Sequence, residues 1–415
     1  MKRMMMGLFV ALMLIFLASP ARADLGHVRK VNSLAHRAMG GLDLTLDNQI
    51  PANAALEPDG WNLSLLNVEA GGNVMEYLRS SSWLNKTSDF MDEADAMIDG
   101  LNERRPDMAE INKMMANYRD LMLQGHYSFT LRSRAEVLSL RLGDRKHGHF
   151  LLGAYGEGDT AFLVEAPNPD KTEFRIGIRS GKLDGWADLG APRDVMKGRG
   201  HIDAGSYLGY GHAFQLSEKV DLGAGAKLRV FHRWIMPSAI MSLPQEVRRK
   251  RDLKSFPEGV EVGTGFDVDL STVLDARDRY LNAKFALALE NIGSVWYKNG
   301  SVAETPRFSV GTSFAPFHAL GHDKFVLGLE IEDMTSDGPA LQLGLLYTML
   351  GNEMVNISPR AGFIFNEKTL FGESSTIFTT GLSFHFLSLN LVGLYEYDIT
   401  HGIYGLGAGL EWVLF

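Results

Sequence analysis

The sequence predicts an all-β chain: a transmembrane antiparallel β-barrel of about 14 strands (roughly 12 to 16) with a helical insertion near the N-terminus. Three observations predict it. From about residue 134 onward, short segments of alternating polarity are separated by turn residues. The chain opens on an export leader and holds no second apolar run long enough for a membrane helix. It has no Cys, so its stability must come from burial, a sheet ladder or a bilayer.

The alternation is regular. In "YLNAKFALALE", Leu281, Ala283, Phe285, Leu287 and Leu289 share one parity, against Asn282, Lys284 and Glu290. In "FVLGLEIED", Phe325, Leu327, Leu329 and Ile331 oppose Glu330 and Glu332. Val262, Phe266, Val268 and Leu270 oppose Asp267 and Asp269; Phe378, Leu382, Phe384 and Phe386 oppose Thr379, Ser383 and His385. A soluble sandwich turns such an apolar parity inward, whereas a transmembrane barrel turns it to lipid. Here the polar parity often carries charge or glycine. Aromatics such as Tyr280, Trp296, Tyr347 and Trp412 fall near segment ends, where interfacial girdles sit. These features favour the membrane barrel.

The leader occupies 1–23. Lys2 and Arg3 precede an apolar core, and small residues at Ala21 and Ala23 place cleavage before Asp24. Its removal takes Lys2, Arg3 and Arg22 away and makes the formal charge more negative than −9. That acidity argues against a nucleic-acid partner. The mature chain divides into a lumen-associated segment at 24–60, a first strand at 61–73, a helical insertion at 74–124 and the barrel at 125–415. Taking the C-terminus as periplasmic, "DITHG", "NEKTLFGESS", "YKNGSVAETP" and 237–259 fall outside. "FLS", "LGNE", "DARDR" and "LSEK" fall inside, so longer loops face out.

The chain closes on "GAGLEWVLF", with Tyr404, Leu406, Leu410, Trp412 and Leu414 on one apolar face and Phe415 last. This resembles the terminal strand by which the barrel-assembly machinery recognises outer-membrane barrels. Phe415 shares parity with Glu411 and Gly409 rather than with the apolar face, which a bulge or a one-residue overhang near the end would reconcile.

Near the N-terminus stand Ala38, Met39, Gly40 and Gly41, then Asp47 and Asn48, then Asn53 through Pro58. These resemble the "AMGGA…DD…NPA" opening of the FadL/PorV/TraF-like superfamily of outer-membrane barrels, departing from it at Leu42 and in "NAALEP". The resemblance implies a segment that tucks into or against the lumen ahead of the first strand. Residues 74–124 have helical spacing, with Phe90, Ala94, Met97, Ile98 and Leu101 before Pro106 and Met108, Ile111, Met114, Met115 and Met122 after it. A helical insertion there makes the TraF-type, conjugation-linked branch the nearest relative, with protein partners docking on the helices. Between Pro237 and Gly259, Arg248, Arg249, Lys250, Arg251 and Lys254 form a basic cluster. It is read either as a patch for lipopolysaccharide phosphates or as an ordinary solvated loop.

No nucleophile elbow, His-Glu-x-x-His, phosphate loop or calcium loop is present, and no cofactor or catalytic role is expected. Ser383, His385 and His401 are the nearest approach to a rim enzyme. Lumen charges, among them Arg175, Arg179, Lys227, Arg229, Lys284, Glu330 and Glu332, are expected to pair across strands. Two functions remain for a chain placed in the outer membrane of a Gram-negative cell. One is a FadL-like channel or transporter for small hydrophobic or amphipathic molecules, predicting an apolar lumen pocket and a kinked or gapped wall. The other is a non-conducting TraF/PorV-like component of a conjugation or secretion apparatus, predicting a filled lumen.

Overall fold

A computed structural model describes residues 33–73 and 126–414, interrupted at 40, 48, 58, 166–172, 180–181, 189–195, 242–259, 278–281, 299, 317–324, 336–337, 352–354 and 369–372. The expected leader with Ala21 and Ala23, the basic cluster Arg248–Lys254, Gly40, Asn48, Pro58 and Phe415 lie outside the described residues. So does 74–124, apart from isolated positions.

Fourteen strands close a barrel: β1 (Gly60–Gly72), β2 (His126–Asp144), β3 (Gly148–Glu165), β4 (Met196–Ser217), β5 (Val220–Met241), β6 (Glu261–Arg277) and β7 (Asn282–Tyr297) form one half. The other half is β8 (Arg307–Ala315), β9 (Phe325–Glu332), β10 (Ala340–Tyr347), β11 (Val355–Lys368), β12 (Ser374–Phe386), β13 (Leu389–Asp398) and β14 (Ile403–Leu414). Each pairs antiparallel with the next, and β14 pairs with β1 from Leu414 against Leu63 to Leu406 against Gly72. The ladder therefore has no free edge. A hairpin (Glu173–Arg179 with Lys182–Asp188) stands between β3 and β4.

The side chains are distributed inside out. Leu208, Leu406 and Leu152 are 54%, 53% and 51% exposed on the outer face, while Asp267, Arg233 and Glu330 are 1%, 3% and 3% exposed within. The parities read from the sequence fall on these two faces: Phe285, Leu287, Val262 and Leu382 point outward, Asp269 and Thr379 inward. An apolar outside with a charged inside is the pattern of a barrel in lipid.

The connections sort onto two rims. The turns at 145–147, 218–219 and 387–388 lie on one, which also receives the start of β1 and the end of β14. The strand ends that the long connections join, Gly72 and His126, Glu165 and Met196, and Met241 and Glu261, lie on the other. The wall is uneven: β4 and β5 each run 22 residues but β9 and β10 only 8. At ~3.3 Å per residue and a tilt near 40°, those spans are roughly 55 Å and 20 Å. The closing pair carries a bulge on β1 between Ser64 and Leu66, so β14 itself alternates without interruption up to Leu414. Glu411 stays on the lumen parity, accepting from Asn390 Nδ2 at 3.2 Å.

Candidate functional site: a lumen filled by its own N-terminal segment

The segment preceding β1 lies inside the barrel. It begins with a helical turn, α1 (Leu34–Arg37), whose first N–H groups are met by the Ser33 side chain through His36 N. After a looped stretch it forms a second turn, α2 (Pro51–Ala54), and then enters β1. α1 packs on β1 and β12–β14, and α2 on β3–β6, so the segment crosses the lumen from one wall to the other. It also runs along the barrel. Arg37 reaches Glu367, beside the long-loop end of β11, while Leu56 O accepts from Arg145 in a short turn.

Local chemistry folds the segment. Asn53, 1% exposed, donates through Nδ2 to Leu44 O at 2.8 Å and Asp47 O at 3.0 Å, tying the loop to α2. The Asp47 carboxylate accepts from Gln49 N at 2.8 Å in an Asx turn. Gly41 has φ +89°, and a Cβ there would come within 2.7 Å of the Gln342 side chain. Ala38, Met39 and Gly41 are all buried.

The wall is recessed where the segment touches it. A Cβ on Gly211 would stand 1.9 Å from Pro51 O, one on Gly344 2.0 Å from Met39 O, and one on Gly223 2.2 Å from Ala52 O. Any other residue would drive backbone into backbone. The glycines of the polar parity thus serve as seats for the segment's main chain.

Between the seats, wall side chains satisfy the segment's polar groups. Glu330 Oε2 accepts from Asp43 N and Leu44 N, each at 3.1 Å, and Glu69 accepts from Leu34 N at 2.9 Å. Tyr207 OH donates to Gln49 Oε1 at 2.9 Å, and Gln49 Nε2 donates to Ser139 Oγ at 3.0 Å. Arg37 forks onto Glu367 at 3.0 and 2.9 Å and bonds Glu396 through Nε. Elsewhere the lumen charges pair across strands: Arg229 with Asp267 at 2.7 Å and Glu157 at 3.4 Å, Arg233 with Asp203 at 2.6 Å. Arg175 and Arg179 lie in the hairpin, where side chains are not described.

One lumen cavity is small and of mixed polarity. It measures about 80 Å³ and is bordered by Asp43, Asp47, Arg134, Glu136, Lys227 and Asp269, among others. That is room for a few waters.

Sequence reasoning missed Arg37, Glu69, Glu367 and Glu396. The one available signal was an arginine directly before Ala38-Met39 in a stretch resembling a lumen segment. Ser383 and His385 sit two residues apart on the wall, and their strand neighbours place no acid between them. His401 does meet a serine and an acid, with Asp398 Oδ2 at 2.8 Å and Ser375 Oγ at 3.2 Å, but both contact Nδ1. A triad needs the serine on the opposite nitrogen, so this cluster does not activate a nucleophile. Tyr404, Leu406, Leu410 and Trp412 are exposed on the outer face of β14.

The site defines a closed β-barrel occluded by its own N-terminal segment. No family model matches the chain, and the comparison with curated proteins finds no match. Among solved structures it is similar to the toluene transporter TodX of Pseudomonas putida, with 11% identity, TM-score 0.42, and 94% of this chain and 99% of that one covered. It is also similar to Pseudomonas putida OprB at low pH, with 9% identity, TM-score 0.35, and coverage of 93% and 100%. CdiB from Acinetobacter baumannii matches at 9% identity and TM-score 0.33, over 85% of this chain and 60% of its own. Likeness at this level carries no argument about what the chain carries or binds.

Proposed function

We propose that the protein is an outer-membrane transport barrel that rests closed, with residues 33–57 as its gate. One observation carries this reading. The occluding segment is held by hydrogen bonds, ion pairs and glycine seats, with no covalent tie beyond its own chain connection to β1. Such a segment can swing away from its α1 end, pivoting on α2, without disturbing the fourteen-strand ladder. The export leader at 1–23, the apolar outer face and the long connections on the rim opposite the C-terminus support insertion in an outer membrane with that rim outside. On this reading a small hydrophobic or amphipathic cargo passes only after the segment withdraws, because the segment crosses the lumen from wall to wall. The basic cluster at 248–254 is then a contact for lipopolysaccharide phosphates, and the β14 strand the feature met by the assembly machinery.

The filled lumen also supports the second reading, a non-conducting component of a conjugation or secretion apparatus whose 74–124 stretch docks proteins, as the TraF-type resemblance implies. Planar-bilayer current separates the two. The refolded full chain should be silent, and a deletion of 33–57 should conduct steadily while keeping a heat-modifiable gel shift. Silence in both, with the shift retained, would favour the assembly role.

A further inference from the structure

Two arginines address one pair of carboxylates near the long-loop end of the lumen. Arg37, on the gating segment, holds Glu367 at 2.9 and 3.0 Å and bonds Glu396 as well. Arg132, on the β2 wall, approaches the same two groups from further away, at 3.3 Å from Glu367 and 3.7 Å from Glu396. Asp159 stands 3.8 Å from Arg132 on its other side. The Arg37 and Glu367 side chains are only 6% and 2% exposed. In such surroundings, removing the partner of a carboxylate is costly because the charge stays behind unpaired.

We propose that Glu367 and Glu396 pass from Arg37 to Arg132 when the segment withdraws, which makes Arg132 the positioning residue of a reversible latch. This rests on the gated reading above. In the closed state Arg37 makes the short, charge-assisted contacts and Arg132 the long ones. A shift of under about 1 Å brings Arg132 to ordinary ion-pair distance from both carboxylates. Arg37 then leaves with its own charge for water, and neither glutamate is stripped. In the open state Arg132, Glu367 and Glu396 line the long-loop end of the passage.

The sign of one substitution separates this device from a merely structural arginine. Without Arg132, the departure of Arg37 takes from the two carboxylates the second of the latch's two cations. Release should slow. A structural Arg132 would loosen the site when removed, and release would quicken.

The chain contains no Cys, so Met39→Cys supplies a unique thiol beside the latch, at a position 1% exposed in the closed state. Maleimide labelling of the full-length protein in vesicles then reports withdrawal without recourse to current. In that background Arg37→Gln should label faster and Arg132→Gln slower, each by on the order of tenfold, with Arg132→Lys near the parent. Arg132→Gln labelling as fast as the parent or faster would overturn the hand-over, while fast labelling of Arg37→Gln would leave the gate standing. Equally slow labelling in every variant, Arg37→Gln included, would overturn gate and hand-over together. A heat-modifiable gel shift checks each barrel. Arg132→Met, which keeps the stem's volume, replaces Arg132→Gln if that variant does not fold and carries the same two outcomes.

Discussion

The two ends of the lumenal segment are held by different mixtures of charge and shape. At the α1 end, charge is added to shape: Arg37 spans Glu367 and Glu396, Leu34 N rests on Glu69, Met39 O sits on Gly344, and Leu34 and Ala38 pack on Val392 and Leu394. At the α2 end, shape dominates. Pro51 O and Ala52 O press against Gly211 and Gly223, Asn53 braces the loop, and Leu44, Ala52 and Leu56 join Val273, Ala286 and Ala288 in a small apolar cluster. An ion pair between mobile side chains can be exchanged for another, whereas main chain seated against main chain has no substitute. The α2 end is also the one covalently continuous with β1. The difference assigns one end as latch and the other as anchor.

The largest effect should come from breaking the anchor. Gly211→Val places a side chain where Pro51 O already lies, with the Pro51 carbonyl and Ala55 Cβ against it and no long side chain to yield. Urea unfolding in vesicles should show a loss of about 3 kcal/mol. A change below about 1 kcal/mol would mean that the seat gives, and that the two ends differ less than argued.

Asn53→Ala attacks the same end through hydrogen bonding. Leu44 O and Asp47 O lose their side-chain donor in a buried site, for a cost of about 2 kcal/mol by the same measurement. Arg37→Ala should behave oppositely on the two readouts. Global unfolding should change by only about 1 kcal/mol, because Arg132 remains to neutralise the carboxylates. Thiol labelling at position 39 should nonetheless quicken. If Arg37→Ala matched Gly211→Val in unfolding, the latch would be an anchor too.

How much of this was legible in the sequence follows from the range of the interactions. The barrel rests on period-two alternation within single strands, so Phe285 and Leu287 against Lys284 declare their faces from a few neighbours. Turn order followed from the same pattern. The lumen segment was visible only through its likeness to a family opening, and its anchorage was not visible at all. Arg37 and Glu396 lie 359 positions apart, and nothing local in either marks the other. The seats are harder still. Gly211, Gly223 and Gly344 sit among other glycines of the polar parity, and no periodicity tells which of them faces a carbonyl. Lumen charges such as Arg229 and Glu330 were expected to pair across strands. Arg229 does, but Glu330 instead accepts from the segment's backbone, a role that depends on where the segment lies.

The smallest effect tests whether the segment's middle belongs to latch or anchor. Tyr207 OH donates to Gln49 at 2.9 Å and shares a 2.8 Å bond with Ser139 Oγ, while Gln49 Nε2 bonds the same Ser139 at 3.0 Å. The three groups form a triangle, so Tyr207→Phe removes two sides and leaves the third. Gln49 keeps a bond to the wall, and the ring stays packed at 3% exposure with Lys227 Nζ 4.3 Å above it. Unfolding should therefore change by only about 0.5–1 kcal/mol, less than for Asn53→Ala, which removes both side-chain bonds at once and leaves Asp47 O only Ile50 N. Labelling at position 39 should not change, because the triangle lies on the anchored side of the loop. Faster labelling in Tyr207→Phe would extend the latch past Gln49 and shorten the anchor to α2 alone.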